Sequence, residues 1–226
     1  MDHVLVHGAF YGGWSWQPVA DALRAQGHDV HVVAQLPSGG ADPAKLGDLA
    51  ADVAHVRETV DGVGRDVVLT GHSYGGMVVA ELADHPRVRH SVFLAAFRPK
   101  CGQTLLDIRS PHPVEWVEAR EDGALRVTGD AAIAREVLAA DLDEPAFAAV
   151  HRRGGAQAAV SYTRPSSGPG RTHPVTYVVC ERDKAIFPAD QEKMADGADH
   201  VVRLDAPHLV PLTHPREVAE VLAGVR

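Results

Sequence analysis

A run of small residues directly after an apolar, β-branched segment constrains this chain more than any other feature. Residues Gly71–Gly76 follow the segment Val67–Thr70 and precede the apolar stretch Met77–Leu82. This order predicts a strand, a sharp turn with Ser73 at its apex, and a helix, as in the Gly-x-Ser-x-Gly pattern. Side chains at the two flanking glycines would collide with neighbouring backbone, so glycine lets the turn close. The turn predicts an exposed serine nucleophile; the alternative is a Gly/Ser turn that only joins strand to helix.

Short β-branched segments alternate with helical patterns over most of the 226 residues. The predicted strands are His3–Val6, Val30–Ala34, Asp66–Thr70, Ser91–Ala95, Val175–Cys180 and Val201–Leu204. The predicted helices are Trp16–Gln26, Pro43–Val60, Tyr74–Asp84, Pro188–Met194 and Pro215–Ala223. This alternation predicts an α/β fold with a mostly parallel six-stranded sheet flanked by helices. Functional loops are then expected at the carboxyl ends of the strands.

One segment, residues 99–161, interrupts the alternation. Its strand signals are weak, and it contains three short helical patterns, around Val114–Arg120, Ala131–Ala140 and Pro145–Arg152. Because the segment follows the fourth predicted strand, we expect it to cover the carboxyl end of the sheet. The sequence therefore predicts a small helical cap at 99–161, inserted into an α/β core of residues 1–98 and 162–226.

Composition limits the partners and the compartment. A formal net charge of -8 argues against nucleic acid or an anionic membrane as the main partner. The chain begins directly with a predicted strand, and its apolar runs are too short to span a bilayer. Only Cys101 and Cys180 are present, without metal-ligand spacing, so we expect reduced thiols and a cytoplasmic protein. The oligomeric state stays open, with a homodimer among the alternatives.

A serine hydroxyl needs a general base, and the base needs a group that orients it. Where the serine lies in a strand–turn–helix elbow of this kind, its partners follow along the chain in the order Ser, Asp or Glu, His. Asp183 follows the predicted strand Val175–Cys180, and His208 follows the last predicted strand. Both therefore lie where a strand ends and a loop begins, on the same edge of the sheet as Ser73. The sequence predicts that Ser73, Asp183 and His208 form a catalytic triad.

Other residues compete for these roles. There are 14 histidines, and position selects among them. His72 lies beside the nucleophile and is expected to point away from the position of a base. Glu181 and Asp205 are the competing acids. Glu181 comes too early, immediately after its strand, and Asp205 belongs to the strand before the histidine loop, so Asp183 is preferred. The alternatives are a turn-stabilising aspartate for Asp183 and a surface-loop histidine for His208.

A tetrahedral oxyanion needs backbone N–H donors. The amide of Tyr74, immediately after the nucleophile, is one candidate. The loop after the first strand, His7–Trp14, is rich in small residues, and Ala9 is its best donor candidate. The alternative for this loop is a glycine-rich turn that only enters a helix.

Large aromatic side chains are candidates for a substrate pocket. Phe10 lies in the loop after the first strand, whereas Trp116 and Phe147 lie in the predicted cap. Trp14 and Trp16 are expected to pack on a helix instead. No metal site is expected, since no His, Asp or Glu group has ligand spacing such as His-Glu-x-x-His.

Several of these segments together resemble one branch of the α/β-hydrolase superfamily. The resemblance is carried by Val6–Trp16, Gly71–Met77, Val92–Phe97, Arg164–Ser167 and Val179–Lys184. That branch holds the plant methyl-ester esterases of the methyl salicylate esterase type, the hydroxynitrile lyases and bacterial carboxylesterases of similar size. It implies Ser73, Asp183 and His208 as the triad and Ala9 and Tyr74 as oxyanion donors. It also implies a small apolar pocket under a helical cap, and no cofactor.

Two positions separate this chain from the hydroxynitrile lyases of that branch. Those lyases carry threonine where this chain has Gly8, and lysine directly after the catalytic histidine, where this chain has Leu209. The lysine stabilises departing cyanide, and an aliphatic side chain cannot supply its charge. The esterase interpretation is therefore favoured.

The prediction is a serine hydrolase that cleaves a carboxylic ester of a small, largely hydrophobic substrate through an acyl-enzyme. One alternative is a carbon–carbon lyase, or a tailoring enzyme that opens lactones or cyclises its substrate, on the same triad. The other is a small-molecule receptor without catalysis.

Overall fold

The computed structural model describes residues 1–111 and 114–225. The strands are β1 (Asp2–Val6), β2 (Val30–Val32), β3 (Gly39–Gly40), β4 (Val67–His72), β5 (Val88–Leu94), β6 (Val117–Ala119), β7 (Ala124–Val127), β8 (Ala156–Ala158), β9 (Val175–Cys180) and β10 (His200–Leu204). The α-helices are α1 (Gln17–Ala25), α2 (Leu49–Val63), α3 (Gly75–Ala80), α4 (Leu105–Ile108), α5 (Ala131–Leu138), α6 (Glu144–Arg152), α7 (Val160–Thr163), α8 (Pro188–Ala195), α9 (Val210–Thr213) and α10 (Pro215–Ala223). Short 3₁₀ helices cover Gly13–Trp16 and Pro43–Lys45.

A six-stranded sheet forms the centre of the fold, with the strand order β10-β9-β5-β4-β1-β2. Every neighbouring pair in it is parallel. The predicted α/β fold with a six-stranded parallel sheet is therefore confirmed. Because all strands run the same way, the loops after β1, β4, β9 and β10 meet at one edge.

Each face of this sheet packs on its own hydrophobic cluster. Along β1, Val4 and Val6 belong to the cluster that also contains residues of α2 and α3. Leu5 points to the other face, where it shares a cluster with Leu23 of α1 and Leu222 of α10. Successive strand residues alternate between faces, so strands that are buried on both sides are apolar throughout.

One predicted helix begins later than expected. The segment predicted as Pro43–Val60 divides into the 3₁₀ helix at Pro43–Lys45 and α2, which begins at Leu49. The side chain of Asp48 accepts a hydrogen bond from the amide of Ala51 at 3.0 Å and so caps α2. An aspartate in this capping position stabilises a helix start, which explains the break.

A second, antiparallel sheet has the strand order β3-β8-β7-β6. The expectation of a helix around Val114–Arg120 is wrong, because β6 lies there and pairs with β7. The two strands form a hairpin, in which Asp122 accepts from the amide of Ala124 and Gly123 has a φ of 78°. The Asp-Gly pair is the sequence signal for this turn, and cross-strand pairing leaves little trace in local periodicity.

The described part of the predicted cap therefore combines α4, α5, α6 and part of α7 with three strands. Strand β8 pairs with β3, which comes from the predicted core segment, so this small sheet joins the two parts of the chain. That residues 99–161 act as a cap stays a prediction. Within the described ranges, no helix has both the length and the apolar character that crossing a bilayer requires. Cys101 and Cys180 are both free thiols.

Candidate active site

The turn between β4 and α3 holds Ser73 in a strained backbone conformation. Ser73 has a φ of 52°, in the left-handed region that side chains other than glycine rarely adopt. A Cβ on Gly71 would lie 2.6 Å from the carbonyl oxygen of Gly75, and one on Gly75 would lie 2.7 Å from that of His7. Only glycine fits at both positions, so the sequence permits this turn at the carboxyl end of β4.

The fold brings Ser73, His208 and Asp183 together from three different loops. His208 Nε2 lies 3.0 Å from Ser73 Oγ, and His208 Nδ1 lies 2.7 Å from Asp183 Oδ2. All three side chains are buried. Because the carboxylate accepts a hydrogen bond from Nδ1–H, the Nε2 atom keeps its lone pair toward the serine hydroxyl. The arrangement can transfer a proton from Ser73 to His208.

Four donors surround the Asp183 carboxylate. Oδ1 accepts from the amides of Ala185 and Ile186, both at 2.8 Å. Oδ2 accepts from His208 and from Gln191 Nε2 at 2.9 Å. Gln191, on α8, also donates to the Ile186 carbonyl at 2.7 Å, so its amide group is fixed on both sides. Sequence reasoning missed Gln191, because its position depends on how α8 packs under the loop.

His72 supports His208 through the backbone. Its Nε2–H donates to the carbonyl oxygen of His208 at 2.9 Å, and the two ring centroids lie 4.9 Å apart. Burial, followed by the neighbouring His208, lowers the pKa of His72 to about 3. His72 is therefore a neutral ring whose Nε2–H is engaged by the His208 carbonyl. No sequence pattern indicated its contact with His208.

The competing carboxylates lie elsewhere. Asp205 is engaged with Arg182, whose Nε lies 2.6 Å from Asp205 Oδ1. Glu181 is exposed to solvent. Arg182 also makes a two-point contact with Asp141, at 2.6 Å for each nitrogen.

The loop after β1 lies directly against the nucleophile. A Cβ on Gly8 would lie 2.9 Å from the Cβ of Ser73. Ala9 and Tyr74 are both buried. Among the described residues, the backbone hydrogen bonds of turns, loops and helix caps do not include the amide of either residue as a donor. Two N–H donors beside Ser73 can together bind a developing oxyanion.

A buried polar network holds the side chain of Tyr74. Its hydroxyl donates to Asp52 Oδ2 at 2.6 Å. The same carboxylate accepts from the amide and the hydroxyl of Ser38, at 2.7 and 2.5 Å. Gln157 of β8 in turn donates to the Ser38 hydroxyl at 2.7 Å. Burial raises the pKa of Asp52, and these donors act against that rise.

A cavity of about 630 Å³ opens beside Ser73 and His208. Its lining is mainly apolar and comes from the loop after β1, from the predicted cap and from the loops after β9 and β10. Phe10 and Trp116 both line it, and their rings meet edge to face at 5.9 Å. Among residues 1–111 and 114–225, no group of three or more His, Cys, Asp or Glu side chains is arranged to hold a metal ion.

The other aromatic residues considered from the sequence, Phe147, Trp14 and Trp16, are not among the residues that line the cavity. The expectation that Phe147 binds substrate is corrected, because Phe147 does not line the cavity and its buried ring stacks on His151 instead. Its helix, α6, packs against α5 and turns this residue inward. Trp16 is buried in the core beside α1, and Trp14 packs under the guanidinium group of Arg153 at 3.9 Å.

Several known proteins are similar to this chain. The profile described as "Alpha/beta hydrolase family" matches residues 4–221. A carbendazim hydrolyzing esterase from Nocardioides sp. (strain SG-4G) is 31% identical over 242 residues, covering 98% of each chain. Salicylic acid-binding protein 2 of Nicotiana tabacum is 38% identical over 103 residues, 42% of this chain and 39% of that protein.

Solved structures give the same fold. A pyrethroid hydrolase from Sphingobium faniae JZ-2 superposes with a TM-score of 0.85 at 24% identity, covering 99% of this chain and 96% of that one. Polyneuridine aldehyde esterase superposes with a TM-score of 0.83 at 20% identity, covering 99% and 98%. At these identities the likeness concerns the fold alone.

Proposed function

This chain belongs to the alpha/beta hydrolase family, and on that premise we propose that it is a serine esterase with Ser73, His208 and Asp183 as its triad. One observation carries the proposal. The His208 ring bridges the Ser73 hydroxyl and the Asp183 carboxylate at 3.0 and 2.7 Å, and the hydroxyl borders an apolar cavity. Proximity of nucleophile, base and orienting group is what ester cleavage by a serine requires.

Acylation begins when His208 Nε2 accepts the Ser73 proton. Ser73 Oγ then attacks the ester carbonyl carbon, and the carbonyl oxygen becomes an oxyanion held by the amides of Ala9 and Tyr74. The imidazolium of His208 gives its Nε2 proton to the departing alcohol, which leaves Ser73 acylated. Asp183 stabilises the charged ring during this step.

Deacylation repeats these steps with water. His208 Nε2 accepts a proton from water, whose oxygen attacks the acyl carbon. The oxyanion occupies the same two amides, the Ser73 oxygen leaves with the Nε2 proton, and the carboxylic acid is released. Each residue thereby returns to its starting state.

The cavity favours an uncharged, largely hydrophobic small-molecule ester. About 630 Å³ lies within the range of pockets that enclose drug-sized ligands, so it offers room beyond a compact acyl group. Among the side chains that line the cavity, Lys184 is paired with Glu136, and the charge of Arg109 is opposed by that of Glu115. The name of the Nocardioides relative, a carbendazim hydrolyzing esterase, is consistent with a small-molecule substrate.

The residue after His208 argues against cyanide elimination. Leu209 is buried, lines the cavity, and donates its amide to the Leu138 carbonyl at 2.7 Å. An aliphatic side chain at this place offers no charge to a departing anion. Ester hydrolysis is therefore preferred over the lyase reaction.

Matched substitutions test the proposal. We expect Ser73→Ala to lower kcat by about 10⁶-fold on p-nitrophenyl esters and on methyl esters of aromatic acids. His208→Asn and Asp183→Asn should also lose most activity, whereas the controls His200→Asn and Asp205→Asn should not. A fluorophosphonate probe should label the wild type at Ser73 alone. Ser73→Ala with more than a tenth of wild-type turnover would refute the assignment.

A further inference from the structure

The direction of each oxyanion amide depends on the carbonyl of the same peptide unit. In a planar trans peptide the C=O and N–H groups point in opposite directions, and this chain has no cis peptide bond in its described residues. A hydrogen bond to the carbonyl on one side therefore fixes where the N–H points on the other. The Ala9 and Tyr74 amides differ in which group binds the carbonyl of their own peptide unit.

Backbone groups hold the Tyr74 amide. The carbonyl of Ser73 belongs to the same peptide unit, and it accepts from the amides of Gly76 and Phe97, both at 3.1 Å. No side chain is needed to orient this donor.

A side chain holds the Ala9 amide. The carbonyl of Gly8 belongs to its peptide unit, and this oxygen lies 2.7 Å from Nδ1 of His7. Because a carbonyl can only accept, the contact is a hydrogen bond only if Nδ1 carries a proton.

A second contact sets the proton on that nitrogen. The amide of Leu36 donates to Nε2 of His7 at 3.0 Å, so Nε2 must present a lone pair. A neutral ring with a lone pair on Nε2 carries its proton on Nδ1. Burial lowers the pKa of His7 to about 4, so the ring is neutral near neutral pH. The tautomer that the Gly8 contact needs is thus the one that Leu36 imposes.

The loop around this peptide is closely packed against the site. Gly8 lies against Ser73, and Phe10, with a φ of 67°, adopts the left-handed conformation directly after Ala9. The Phe10 carbonyl accepts from the amide of Gly155 at 2.6 Å, which ties the loop to the predicted cap. A rotation of the Gly8–Ala9 peptide would turn the Ala9 N–H away from the reacting carbonyl while leaving these packing contacts in place.

We propose that His7 is a positioning residue that orients the Ala9 amide toward the oxyanion through its hydrogen bond to the Gly8 carbonyl. The inference rests on the proposed esterase function. It assigns to His7 no contact with substrate and no proton transfer. Its effect is on the transition state, because the oxyanion forms only there.

Two substitutions separate the two hydrogen bonds of the ring. The side-chain amide of His7→Asn ends near the position of Nδ1, so it keeps the donor to Gly8 and loses the acceptor for Leu36. The longer His7→Gln side chain reaches the position of Nε2, so it keeps the acceptor for Leu36 and loses the donor to Gly8. Each variant loses one buried hydrogen bond, which makes them controls for one another.

We expect His7→Gln to lower kcat by about 10- to 100-fold with KM within about twofold, below the loss for deleting an oxyanion donor outright. His7→Asn should stay within about threefold of the wild-type kcat. A trifluoromethyl ketone, which forms an oxyanion on Ser73, should bind more weakly to His7→Gln by the factor lost in kcat/KM. Equal kcat values in the two variants, or kcat that follows melting temperature alone, would overturn the proposal.

A measurement on the wild type covers the case in which a variant does not fold. The ¹⁵N shifts of the His7 ring should show a proton on Nδ1 and a lone pair on Nε2 at pH 7.5. A proton on Nε2 would overturn the proposal. A wild type that hydrolyses no ester would refute the proposed function instead, so the two failures are distinguishable.

Discussion

Lowering the pH from 7.5 to 4.5 tests whether His7 and His72 are neutral, buried rings in the folded protein. Both have a lowered pKa, about 4 for His7 and about 3 for His72, and burial is the main cause for each. In the unfolded chain a histidine has a pKa of about 6.5. As the pH falls below that value, the unfolded chain binds protons that the folded chain does not. Stability should be unaffected by these two rings above about pH 7 and should decrease on acidification.

The size of the effect follows from proton linkage. Near pH 5 each of these rings is mostly protonated in the unfolded chain and mostly neutral in the folded protein. Two extra protons on the unfolded state correspond to a slope of about 2.7 kcal/mol per pH unit. His3 and His173, whose pKa values burial also lowers to about 4, add to the slope. A domain with an ordinary stability of about 5–15 kcal/mol would lose much of it by pH 4.5.

Urea unfolding followed by circular dichroism at several pH values measures this slope. We expect His72→Asn to have a slope lower than that of the wild type by about 1.4 kcal/mol per pH unit, since one titrating group is removed. The exposed control Thr163→Ala, which removes no titrating group, should leave the slope unchanged. Parallel curves for wild type and His72→Asn between pH 6 and 4.5 would show that the ring titrates normally in the fold, and the reasoning would fail.

Three further substitutions probe the site and its supports. Gln191→Leu removes one donor from the Asp183 carboxylate. It should lower kcat by at least about tenfold in steady-state kinetics, because a hydrogen bond to a charged group is worth about 1.5 kcal/mol or more. Trp116→Ala removes an aromatic wall of the cavity and should raise KM by about tenfold for naphthyl esters, but not for acetate esters of small alcohols. Tyr74→Phe leaves the Asp52 carboxylate with one donor fewer and should lower the free energy of unfolding in urea by about 1.5–3 kcal/mol. The matched variant Tyr177→Phe should lower it by only about 0.5–1.5 kcal/mol, because the Tyr177 hydroxyl donates to the neutral Ala96 carbonyl. Equal costs for the two tyrosine variants would contradict a charged acceptor.

The parts of the site that could be predicted from sequence are those set by local backbone constraints. Gly71 and Gly75 reveal the turn because any side chain there meets backbone within 3 Å. Asp183 and His208 could be placed because each lies in the loop that follows a strand of a parallel sheet, and such strands end at one edge. These positions can be predicted without knowing how the helices pack on the sheet.

The residues that sequence reasoning missed depend on tertiary contacts. Gln191 meets Asp183 only because α8 folds back under the loop after β9. His7 looked like part of a glycine-rich loop, and its tautomer is set by Leu36, which lies 29 residues further along the chain. Phe147 was misplaced because helical periodicity identifies a buried face without saying whether a core or a cavity lies beyond it.

The neutrality of the rings around His208 is itself a condition for the proposed chemistry. During acylation His208 becomes an imidazolium, and His72 lies 4.9 Å from it between ring centroids. A second positive charge at that distance would oppose protonation of the base, by about 3 kcal/mol at an effective dielectric constant near 20. Burial removes that charge and leaves His72 as a donor to the His208 carbonyl. The same burial that costs the protein stability in acid thus lets histidines hold the backbone of the site without competing with the one histidine that must become charged.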